Sequence, residues 1–259
     1  GRGLFLGQPS HVVYVLQIFT IWAIFRKNDL LAGVALAFST IKPQMSYMLV
    51  PLLLLWALRY RRYYIIGGFL GMFGVLMGAS FMLQPNWFGD WLNQMQLYPQ
   101  YTAIAYPDTG SPVWIITQEW LGLGNIAEIV VSAMFIFMML WGWWMLIVQK
   151  QSEKLLWVIA LTLVVTHLVA LRTATPHFVI FNVVWLFYLR KFKPAGVFLA
   201  LGIQFIGMWL LFFITVQGRD TLEHPMMFIP TSFLAVVLLI ITRKQWWNEK
   251  FEQIEKGVA

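Results

Sequence analysis

Apolar residues in this chain come in runs of about 15 to 23 residues, broken by short polar or basic connectors. Read as helices, the runs fall at 9–25, 29–41, 44–59, 63–83, 126–148, 155–171, 177–189, 195–216 and 226–242. The pattern predicts an all-α, polytopic integral membrane protein of about nine transmembrane helices. It forms one membrane domain over 1–242, followed by a tail over 243–259. Pro9, Pro43, Pro176 and Pro225 open inward-running helices, where a missing N–H costs nothing. Pro51 lies inside its helix and is expected to kink it. No repeat or low-complexity tract is visible.

One connector is long. Residues 84–125 hold Trp87, Phe88, Trp91, Leu92 and Met95 at helical spacing, with Asp90, Asn93, Gln94 and Gln96 opposite. That is the pattern of an amphipathic segment lying at the membrane interface.

Composition sharpens this picture. The 259 residues are 60% hydrophobic and 11% charged, with a mean hydropathy of +0.71; a soluble domain carries about 25% charged residues. There is no cysteine, so thiolate chemistry and disulfides are excluded. The net charge of +7 is not spread evenly. Arg26, Lys27, Arg59, Arg61, Arg62, Lys150, Lys154, Arg190, Lys191, Lys193, Arg243 and Lys244 occupy alternate connectors, and Lys250 and Lys256 lie in the tail. The positive-inside rule puts these connectors and the C-terminus in the cytoplasm, and the basic pI then needs no nucleic-acid partner. The first residues, "GRGLFLGQPS", read like the middle of a protein, so the chain is expected to be a fragment or a processed product.

Four cations are left for the outer side: Arg2, Lys42, Arg172 and Arg219. Lys42 stands in "STIKPQMSY" between two apolar runs, with no acid within twelve residues on either side. The helix before it, 29–41, is about 20 Å long against a hydrocarbon core of about 30 Å. Lys42, Pro43 and Gln44 are therefore expected at the floor of an outward-open recess, with "RTATPH" (Arg172 to His177) sinking to a similar depth. Non-helical backbone at that depth must line protein or a wet cavity, and an ionisable residue there is a functional candidate. Lys42 and Arg172 offer a point charge and a planar fork suited to phosphate. The bland alternative has Lys42 snorkelling to headgroups and Arg172 anchoring a helix end.

The stretch "LAGVALAFSTIKPQMSYMLVPLLLLWALRYRRYY" resembles the small-residue helix, Lys-Pro turn, apolar helix and basic connector of polyprenyl-phosphate-dependent glycosyltransferases. These belong to the GT-C superfamily, and the closest likeness is to glycosyltransferase family 87. "GQPS", "TGSPVWII" and "RTATPHFVIFNVVWL" are similar to other outer-side segments of that family. The resemblance implies transfer of a sugar, with inversion, from a polyprenyl-phosphate donor to a glycolipid, glycan or protein acceptor on the outer face of a bacterial plasma membrane. No cofactor or metal is expected. The family's base, an Asp or Glu of the first outer loop, is expected upstream of Gly1. Within this picture Lys42, Arg172 and His177 are the candidates for the donor phosphate, and Gln8, His11 and Gln44 for other substrate contacts.

Other polar groups read more plainly. Asp90 and Asp108 read as solvated loop acids, with Asp108 kept as a candidate base; His167 reads as a core histidine, and Glu128 as a first-turn acid. "GRDTLEHP" reads as a polar loop rather than a metal site. Two further classes stay open: a transporter or flippase of an anionic lipid-linked substrate, and a non-catalytic membrane scaffold. A transporter should carry ionisable groups near the bilayer midplane, whereas the helix charges here cluster near helix ends.

Overall fold

A computed structural model of the chain describes residues 7–105, 110–170, 175–185, 194–216, 227 and 229–247. The architecture is all helical, with no strand among the described residues. In chain order the main elements are α1 (Ser10–Phe25), α2 (Asp29–Phe38), α3 (Leu49–Arg59), α4 (Tyr63–Leu83) and α5 (Trp87–Ala105). They continue with α6 (Gly124–Ile147), α7 (Leu155–Val169), α8 (Pro194–Val216), α9 (Ile229–Ile241) and the short α10 (Arg243–Trp247).

Among the described residues, three stretches are long and apolar enough to cross a membrane: Tyr63–Leu83, Gly124–Ile147 and Ser152–Val169. The helices α1, α2 with its tighter last turn, α3 and α9 run only 10–17 residues. Nine full crossings are therefore not established. Two of the expected nine change form. The helix expected over 177–189 begins as a 3₁₀ turn, Thr175–Phe181. The helix expected over 44–59 divides into a single turn, Pro43–Ser46, and α3.

That division has a local cause. Pro51 has no N–H for the Tyr47 carbonyl four residues earlier, and its ring crowds that position. The helical hydrogen-bond ladder lapses at Tyr47 and Met48, though both keep helical dihedral angles. The kink expected at Pro51 is thus a break one turn upstream. Pro43 does the same to α2, which tightens into 3₁₀ geometry over Ser39–Ile41 before the chain turns at Lys42. The Ser39 carbonyl, deprived of a Pro43 N–H, accepts instead from Ser46 Oγ at 2.9 Å. Left bare in an apolar interior, such a carbonyl would cost about 1–3 kcal/mol.

The core centres on α7, whose side chains are buried almost without interruption from Leu155 to Leu168. It packs against α6, α9 and the 175–181 turn. On α1 the buried positions Ser10, Val13, Gln17, Thr20, Ile21 and Ile24 fall three or four apart and form one face. Helices α2 and α4 approach backbone to backbone at Gly33, where a Cβ would lie 2.1 Å from the Ile65 carbonyl oxygen.

The basic connectors gather at one end of the bundle. Arg62 at the start of α4 pairs with Asp29 at the start of α2 through Nη2–Oδ1 and a 3.1 Å Nε–Oδ2 bond. The same guanidinium donates to the Ile24 carbonyl at 3.0 Å and lies 5.0 Å over the Trp56 ring. Arg59 Nε and the Tyr60 hydroxyl reach the Ile147 and Leu146 carbonyls, each at 3.0 Å. Lys154 lies 4.2 Å over the Trp247 ring. At three of these ends a basic residue two or three positions past the helix is left-handed: Lys27 (φ 56°), Arg61 (φ 59°) and Lys150 (φ 56°). After α1 the Asn28 N–H reaches the Ala23 carbonyl and the Lys27 N–H the Ile24 carbonyl, the paired bonds of a Schellman cap. The cluster expected at 190–193, the loop at 219–224 and the tail from 248 lie outside the described residues.

Because Asp29 and Arg62 tie the starts of α2 and α4 together, their far ends can be compared by length. Helix α2 has 10 residues plus 3 in its 3₁₀ turn, and α4 has 21. The Lys42 turn therefore stops about 10 Å short of the far end of α4.

Candidate functional site

At the end of the bundle opposite the basic connectors, the Lys42 turn packs on α1 and α7, and both of these helices pack on the 175–181 turn. The chain enters this region through Gly7, whose φ of +62° is a left-handed conformation that glycine adopts without strain. That turn brings Gln8 back over Lys42.

Lys42 is buried, with 8% of the residue exposed. It donates to Ser10 Oγ at 2.6 Å and to Gln8 Oε1 at 2.9 Å. Both acceptors are neutral, and Lys42 forms no ion pair with any described residue. Two of its three N–H groups are thus committed and one remains. A charge so enclosed is costly unless an anion completes its surroundings. The arrangement suits a group that arrives with its own negative charge.

Three imidazoles lie in the same region. His11, His167 and His177 all stand within electrostatic reach of the Lys42 ammonium. His11 Nδ1 is buried and has no hydrogen-bond partner. His167 and His177 are both buried, with ring centroids 6.1 Å apart and nearly perpendicular planes. His167 Nδ1 sits 2.9 Å from the Leu163 carbonyl oxygen. His167 is therefore a core histidine by burial, yet one in ring contact with a candidate site residue.

Of the residues read from sequence, Gln8, His11, Lys42 and His177 converge here. Gln44 does not: it is exposed and forms no hydrogen bond. Arg172 and Asp108 lie outside the described residues. Asp90 is exposed and accepts from Gln84 Nε2 at 2.8 Å, as a solvated acid does. Glu128 is not in the first turn of its helix, because α6 starts at Gly124 rather than at 126; its carboxylate accepts from Gln118 instead.

Two features were missed in the sequence. Ser10 supplies the shortest contact to Lys42. Beneath the turn, Gln17 Nε2 donates to the Met45 carbonyl at 2.9 Å and to Ser46 Oγ at 3.1 Å. The available signal was the seven-residue spacing of Ser10 and Gln17, which puts two polar groups on the same buried face of α1.

The family model described as glycosyltransferase family 87 matches residues 2–171, which include the Lys42 turn, α1 and all but the 175–181 component of this cluster. No curated protein and no solved structure matches the chain.

Proposed function

From the premise that the chain belongs to glycosyltransferase family 87, and is thus a membrane glycosyltransferase, we propose that its donor is a sugar carried on a polyprenyl phosphate. The observation that carries this reading is Lys42: a buried lysine whose ammonium is held, among the described residues, by neutral oxygens and which is recessed from the outer end of the bundle.

In such a transfer an acceptor hydroxyl attacks the anomeric carbon from the face opposite the phosphate. The bond from that carbon to the phosphate oxygen breaks, and its electron pair leaves with the polyprenyl phosphate. The hydroxyl proton passes to a base, for which a carboxylate is the expected group. Negative charge on the phosphate grows through the transition state, so a cation already in place stabilises that state more than the ground state. Lys42 fills this role, turning a further N–H to the phosphate while Gln8 and Ser10 hold the ammonium in place. Arg172 is the second cation of the reading, His177 positions the phosphate or sugar, and His11 and Gln8 hold polar groups at the mouth. The acceptor is a lipid, glycan or protein on the outer face of a bacterial plasma membrane, and configuration inverts.

The test is donor choice. Membranes containing the full-length protein should transfer labelled sugar from a polyprenyl-phosphate sugar and not from the matching nucleotide sugar. Transfer from the nucleotide sugar with the polyprenyl-phosphate donor inert would overturn the reading.

A further inference from the structure

Below Lys42 lies a polar chain that the transfer chemistry does not use. Gln17, Ser39 and Ser46 are 0%, 0% and 1% exposed, deep among apolar side chains. Gln17 Nε2 reaches the Met45 carbonyl and Ser46 Oγ. Ser46 Oγ lies 2.9 Å from the Ser39 carbonyl oxygen and 3.1 Å from Ser39 Oγ. Ser39 Oγ in turn donates to the Leu36 carbonyl at 2.7 Å. The chain thus ties the middle of α1 to both sides of the turn that carries Lys42.

Two facts show why these ties set the position of Lys42. The helical hydrogen-bond ladder is interrupted on both sides of the turn, by Pro43 before it and at Tyr47 and Met48 after it. Side-chain contacts to α1 add to the few backbone bonds left in the turn. In addition, α1 holds the turn at two heights. Ser10 meets the Lys42 ammonium, and Gln17, seven residues on, meets the Met45–Ser46 end. Seven residues of α-helix are about 10 Å, so the two contacts act as a long baseline that fixes both tilt and depth. Gln17 is built in at a cost, since its Oε1 is buried without a partner.

We infer that Gln17, acting through Ser46 and the Met45 carbonyl, is a positioning residue that holds the Lys42 ammonium where a donor phosphate meets it. This rests on the reading of Lys42 as the phosphate-holding group. Gln17 touches no substrate.

The experiment is a double-mutant cycle on binding of farnesyl phosphate to the full-length protein, with farnesol as the uncharged control. Lys42→Ala should weaken binding about 100-fold, the scale of one positioned electrostatic group. Gln17→Met, which keeps the volume and removes the amide, should weaken it about 10-fold. Added to Lys42→Ala, it should cause no further loss, because its effect passes through the ammonium. Farnesol binding should not change in any variant. Should Gln17→Met fail to accumulate in the membrane, Ser46→Ala runs the same cycle with one hydroxyl removed. Losses that multiply in the double variant would mark Gln17 as structural only and overturn the inference, as would full binding in Gln17→Met; in both cases a lost Lys42→Ala phosphate site would leave the reading of Lys42 intact. Unchanged binding in Lys42→Ala would instead remove that reading and the inference with it.

Discussion

Lys42 Nζ and Ser10 Oγ stand 2.6 Å apart in a buried setting, joining residues separated by 32 positions in the chain. This contact, with that to Gln8, closes the start of α1 over the Lys-Pro turn. It holds a cation that nothing in the described part of the protein neutralises. Ser10→Ala should therefore weaken polyprenyl-phosphate binding by a smaller factor than Lys42→Ala, about 10-fold, the low end for loss of one hydrogen bond to a charged group. Titration of the purified full-length variants checks the order.

Lys42→Arg should not restore the site. The guanidinium is broader than an ammonium and brings a planar fork of five donors into a space built around two oxygens. Transfer by this variant is expected to stay within about 10-fold of Lys42→Ala rather than near wild type. Recovery to wild-type rates would show that charge alone suffices.

The α2–α4 contact makes a separate stability prediction. A methyl at Gly33 would collide with the Ile65 carbonyl oxygen, whereas at Gly67 it meets nothing within 4 Å. Gly33→Ala should destabilise the protein by about 1–3 kcal/mol, and Gly67→Ala should be neutral or stabilising by up to about 1 kcal/mol. Thermal unfolding in detergent compares them directly.

At the basic end, Arg61 adopts a φ of 59° that an L-residue reaches only with strain. Arg61→Gly should relieve about 1 kcal/mol of it, and Arg61→Ala should not. Such basic residues in left-handed caps hold positive charge at this end despite the backbone cost. A water-soluble label placed within 84–125 should accordingly react from outside intact cells. Reaction only after permeabilisation would invert the orientation on which the outer recess depends.

Much of this was legible in the sequence, for identifiable reasons. The isolation of Lys42 could be read because no acid stands within twelve residues, and the structure shows that none pairs with it from the described residues elsewhere either. The boundaries of α4 agree with the expected 63–83 because a long apolar run between Arg62 and Gln84 leaves little choice. The count of crossings was less secure. Apolar composition does not reveal that Pro43 and Pro51 divide 43–59 in two, or that the segment from Thr175 winds as a 3₁₀ turn. Gln17 was missed because a single amide in "VVYVLQIFTIWAIF" has no local partner, and its acceptors arrive only when the turn folds against α1. Gln44 was chosen for its nearness to Lys42 in the sequence, but it follows Lys42 by two residues at the start of a one-turn helix, a spacing that puts side chains on different sides.

The most direct test of the central claim is the rate of sugar transfer from a polyprenyl-phosphate donor by full-length wild-type and Lys42→Ala proteins, each shown to be inserted and equally stable. A fall of about 100-fold is predicted if Lys42 stabilises the departing phosphate. Equal rates would contradict the claim, leaving Lys42 as a buried structural lysine capped by Gln8 and Ser10.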